Sequence, residues 1–245
     1  GEDLWHSDIG VKVMEIPVKV HYPTSSENRA MEIAYDYMLG MCYAGDTNKA
    51  LLLKETICDV LQRLQFAPGY TEFSLRGICK VIEKFIANIS NELWGGMQLE
   101  TVIEFLIGGY CPEKQVVLVY KFELNYIDEY EILVNEVLSE EDEWELLGTG
   151  ANVARMLLPA HTVLPNIEML KILREVCNAK DVPDVGGFLQ YGSFQKDNNF
   201  KVYGVVDHEI DEHDQVEFLF TYRGAVLYTN RFEITDEGLH INPGF

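Results

Sequence analysis

The chain has 245 residues, 47% of them hydrophobic and 24% charged, so it has ample core material and no compositional mark of disorder. Forty Asp and Glu against nineteen Lys and Arg give a formal net charge of −21, a field that repels nucleic acid and anionic lipid surfaces. Neither is expected as a partner, and the length suits one large domain or two small ones.

The first segment, VKVMEIPVKVHYP (11–23), alternates as one or two strands, with Pro17 placing it at an edge or a bend. MEIAYDYMLGMCYAG reads as a strand punctuated by glycine. In TNKALLLKETICDVLQRLQ (47–65), Ala50, Leu51, Leu53, Ile57, Val60, Leu61 and Leu64 recur at helical spacing, and Asp46 stands where an N-cap belongs. A second amphipathic helix is predicted over 71–93, capped by Thr71 or Ser74.

From residue 101 the period shortens. TVIEFLIGGY and QVVLVYKFEL flank CPEK and predict a hairpin with a four- or five-residue loop. YEILVNEV and WELLGTG read as two further strands. ANVARMLLP and PNIEMLKILREVCNA predict two more helices, the second with Pro165 at its start. GGFLQYGSF and NFKVYGVV form a strand pair turned by KDNN, and VEFLFTYRGAVLYTNRFEI is strand-rich with a turn at Arg223-Gly224. Strands, two helices, four strands, two helices and more strands predict an α+β fold, a four-layer αββα sandwich with a β-rich C-terminal extension. Residues 1–206 form the sandwich in this reading and 207–245 the extension of the same domain.

Five cysteines, Cys42, Cys58, Cys79, Cys111 and Cys177, are odd in number and include no C-x-x-C pair. Free thiols in a reducing compartment, the cytoplasm, are expected. No apolar run reaches the roughly 18 residues of a membrane span, and GEDLWHSDIG has no basic-then-apolar leader pattern.

The stretch GMCYAGDT (40–47) differs by one residue from the phosphate-cradling G-x-x-x-x-G-K-T. Asp46 replaces the lysine and reverses the local sign, so a helix-capped glycine corner is expected rather than a nucleotide site. Asp207-His-Glu-Ile-Asp-Glu-His-Asp214 is rich in metal-ligating groups but lacks the ordered spacing of a calcium loop or a zinc helix. A solvated turn is expected there, with a metal-binding module as the alternative. Ser139-Glu-Glu-Asp-Glu143 reads as an exposed acidic loop. No cofactor or resident metal is expected.

Four motifs in order resemble the proteasome β-subunit family of N-terminal-nucleophile hydrolases. They are VKVMEI followed by YMLGMCYAGDTNKALLLKE, with its A-G-x-x-x-x-A helix entry; IEFLIGGYCPEKQVVLVYKFEL; WELLGTGANVARMLLP; and KDVPDVGGFLQYGSF. The resemblance covers residues 11–206 and implies the same αββα fold, peptide or amide bond hydrolysis, and assembly into a homo-oligomeric ring that takes a peptide substrate. In that family an N-terminal threonine attacks and its own amine is the base. The resemblance implies Lys12 as the lysine that tunes the amine, Gly45 as the oxyanion N–H, Thr149 at a hydroxyl position beside the amine, and Asp181 as the supporting aspartate. Asp184 stands near another family serine, displaced by an insertion at Val185. Only eleven residues precede Lys12, none a threonine. The resemblance therefore implies that the first strand pair, with its nucleophile, is missing from the sequence as it stands; the alternative is a non-catalytic self-assembling or binding protein on the same fold.

Overall fold

A computed structural model describes residues 10–23, 32–89, 103–126, 130–138, 143–159, 162–179, 182, 185–210 and 216–229. The chain divides into two compact units. The larger comprises 14–140 and 193–201; the smaller comprises 1–13, 141–192 and 202–245. The fold is mixed α+β with mostly antiparallel strand pairing.

The larger unit is built on a six-stranded sheet in the order β3-β1-β2-β4-β5-β6. Its strands are β1 (Val13–His21), β2 (Ile33–Gly45), β3 (Leu64–Gln65), β4 (Ile103–Cys111), β5 (Val116–Tyr126) and β6 (Tyr130–Val137). Strict alternation in β1 buries Met14, Ile16, Val18 and Val20 on one face. Pro17 is tolerated because β3 meets β1 only at Val20 and His21, and among the described residues no strand pairs with the upstream part of β1 on that flank. β4 and β5 are the expected hairpin, closing at the Cys111↔Val116 pair with Gln115 at φ +57.

The two faces of this sheet do different work. On one, register brings Met41 opposite Ile107, Phe105 opposite Phe122, and Ile103 opposite Leu124. All six side chains are buried, and the two Phe rings stack at 4.6 Å between centroids. Helix α1 (Thr47–Leu61) lies against β2, and α2 (Leu75–Ile89) against β4 and β6. Gly109 is bare because a Cβ there would collide with Leu39 and crowd Leu75 of α2. On the other face Gly40 and Gly108 sit directly opposite each other. A Cβ on Gly40 would lie 2.6 Å from the ring of Phe200, and one on Gly108 would lie 3.3 Å from Phe194. The paired glycines form a floor on which those two rings rest, themselves edge to face at 5.2 Å.

Phe194 and Phe200 come from β7 (Tyr191–Phe194) and β8 (Phe200–Tyr203), whose tip, residues 193–201, belongs to the larger unit. The KDNN turn is tied by Asn198 N–H to the Gln195 carbonyl at 2.9 Å and by Asp197 Oδ1 accepting Asn199 N–H at 3.1 Å. Asn199 Oδ1 in turn accepts the Met38 N–H at 2.8 Å, pinning the tip to β2.

The smaller unit holds α3 (Ala151–Leu157), α4 (Asn166–Cys177) and a three-stranded antiparallel sheet in the order β11-β10-β9. Its strands are β9 (Val205–Ile210), β10 (Val216–Tyr222) and β11 (Ala225–Thr229), and the β9·β10 ladder runs unbroken through residues 206 and 207. Arg223 and Gly224, at φ +50 and +79, make the expected two-residue turn.

Four sequence expectations are corrected. The turn expected over 207–214 begins as strand, since residues 207–210 belong to β9 and pair with 216–219 of β10. WELLG is not a strand: residues 144–148 have no regular secondary structure, so among the described residues three strands rather than four separate the helix pairs. Apolar composition alone does not make a strand where no ladder partner forms. Helix α1 stops at Leu61 instead of continuing to 65. Gln62 caps it, its N–H and its side-chain Nε2 both donating to the Cys58 carbonyl, and Leu64 is drawn into pairing with Val20. Helix α2 begins at Leu75 rather than 71 because Ser74 Oγ accepts the Gly77 N–H at 3.1 Å. Residues 90–93 of the predicted helix lie outside the described residues.

Candidate functional site

Gly45, Lys12 and Thr149 are each built by their own local structure. Gly45 ends β2 opposite Ile103 and is exposed, with φ +106, a conformation L side chains rarely adopt. The next residue turns the chain into α1. Asp46 is extended at φ −63, ψ 117, and its Oδ1 accepts the Lys49 N–H at 3.0 Å. That bond occupies one of the unpaired donors at the helix start, which a phosphate would otherwise use. The carboxylate also colours the corner. Burial holds the Tyr43 hydroxyl above the usual tyrosine range, and the charge of Asp46 pushes the same way. A negatively biased, already capped helix start is a poor anion cradle, as the Asp46 substitution in GMCYAGDT implies.

Lys12 is half-buried just before β1. Its backbone is held by a residue that sequence reasoning missed, Gln190. The Gln190 Oε1 accepts both the Lys12 N–H at 2.8 Å and the Val13 N–H at 3.2 Å, while its Nε2 donates to the Gly10 carbonyl. One amide side chain thus clamps three backbone groups of residues 10–13. Gly224 closes over the clamp, since a Cβ there would sit 2.6 Å from Gln190 Nε2 and 3.3 Å from the Gly10 oxygen. No periodicity marks Gln190, and its partners lie 177 to 180 residues away in the chain.

Thr149 is exposed in the turn that enters α3, after Gly148 at φ +75. The Ala151 N–H reaches the Gly148 carbonyl at 3.2 Å, so the expected Gly-Thr-Gly turn into the third helix is present. Gly150 packs closely: a Cβ there would lie 2.8 Å from Val176 of α4 and 3.3 Å from Val185. Val185 is positioned by its N–H bond to the Val182 carbonyl at 3.0 Å. The turn bearing Thr149 therefore meets Val176 and Val185 through Gly150. Asp181 and Asp184 themselves lie outside the described residues, as do 139–142 and 211–215 of the two acidic stretches.

Lys12 and Thr149 belong to the smaller unit and Gly45 to the larger. Among the described residues no group of three His, Cys, Asp or Glu side chains is placed to hold a metal ion. All five cysteines are free thiols. Burial pushes Cys42 up to about 11 and raises Cys58, Cys79 and Cys177 as well, so these four thiols are poor nucleophiles at neutral pH. No described helix is long and apolar enough to cross a membrane.

A second polar constellation sits between α2 and the sheet. Tyr120 and Glu136 are register partners in β5 and β6, and the Tyr120 hydroxyl donates to Glu136 Oε2 at 2.8 Å. Lys114 adds its ammonium to the same carboxylate at 3.1 Å. These bonds hold the Glu136 carboxyl below the usual range, and burial drives the Tyr120 hydroxyl well above its own. With the phenol protonated and the carboxylate already paired, this is a structural cross-strand bond, not a poised acid and base.

A scan against protein-family models gives no match, and a search of curated proteins gives none either.

Proposed function

We propose that the chain is a proteasome-like member of the N-terminal-nucleophile hydrolases, a four-layer αββα protein that cleaves peptide or amide bonds within a homo-oligomeric cytoplasmic ring. The observation that carries this reading is the Gly45 corner. A glycine at φ +106 between a sheet strand and a capped helix matches the strand-glycine-helix corner that the resemblance implies. The helix pair on one face of the larger sheet and the β7–β8 tip on its opposite face also support the layered architecture. In this mechanism an N-terminal hydroxyl attacks the carbonyl carbon while the free amine takes its proton. The roles are those the resemblance implies: Lys12 to lower the amine's pKa, Gly45 to offer the oxyanion N–H, Thr149 to stand at the hydroxyl position beside the amine, and Asp181 as the supporting aspartate. Gln190 is the positioning residue for Lys12.

The test uses the full-length natural protein, fluorogenic peptides and sequencing of its mature N-terminus. Turnover with an N-terminal Thr, Ser or Cys, falling about a hundredfold or more in Lys12→Ala, supports hydrolysis. No turnover from a nucleophile-free start removes it.

One observation favours the second reading, a self-assembling or binding protein without catalysis. Met156, Leu157, Val163, Ile167 and Leu173 are all exposed, gathered in one stretch around α3 and α4. A contiguous apolar patch is the kind of surface through which proteins associate, and these exposed side chains supply material for one. Native mass spectrometry showing a closed ring from a protein without turnover would select this reading.

A further inference from the structure

We draw no further inference here: the strongest candidate, the apolar surface that Met156, Leu157, Val163, Ile167 and Leu173 expose on α3, α4 and the segment between them, belongs to the self-assembly already proposed, and nothing in the structure shows what covers it.

Discussion

At Asp46 a single carboxylate accepts the Lys49 N–H and starts a fifteen-residue helix. Replacing it by Ala removes that bond and should cost about 1 kcal/mol in urea denaturation, whereas Asp46→Asn, which keeps an acceptor, should cost only a few tenths. Equal losses for the two would show that the cap is not what matters. Tyr120→Phe tests the cross-strand bond through pH. Glu136 has its pKa lowered in the folded state, so its contribution is fully present above the ordinary value of 4.5 and is lost as pH falls through the lower folded value. The variant should be less stable by about 1 kcal/mol at neutral pH, the low end for a bond to a charged group because Glu136 is 37% exposed. The gap between variant and parent should close below pH 4.5; a gap independent of pH would contradict the assignment. Local caps such as Asp46 and Ser74 were legible because donor and acceptor lie three residues apart. Gln190 was not legible, because its role exists only once distant segments meet.

Elements were read well where periodicity met a partner. The β4–β5 hairpin, the Arg223-Gly224 turn, and the entries to α1, α3 and α4 all stand where alternation, turn residues and caps put them. WELLG and β3 are illegible for one reason: a strand is a property of a pair, and a short run says nothing about its partner. The Gly40 and Gly108 floor shows the same limit. Each glycine reads in sequence as strand punctuation, yet together they leave room for Phe194 and Phe200. Gly40→Ala should destabilise the protein by about 1–3 kcal/mol through overpacking against Phe200. Combined with Phe200→Leu, the loss should be smaller than the sum of the two single losses, read from a double-mutant denaturation cycle. Strict additivity would mean that the ring does not rest on the glycine.

At the scale of the molecule, the described strands and helices make a mixed α+β protein, and hydrolysis is the proposal to be tested on it. The acidity of the chain bears on partners rather than fold: at −21, anionic polymers are repelled, and the proposed association between copies has to overcome like-charge repulsion. The exposed apolar side chains around α3 and α4 are where the proposed self-assembly is to be sought. Chemistry separates the readings, and a trap that requires both a nucleophile and a free α-amine on one residue asks the question directly. The decisive measurement is intact-mass and peptide-mapping analysis of the full-length natural protein after incubation with a peptide epoxyketone. Hydrolase function predicts one adduct per chain, on the mature N-terminal residue, with labelling slowed in Lys12→Ala. A protein that assembles but takes no adduct would contradict it.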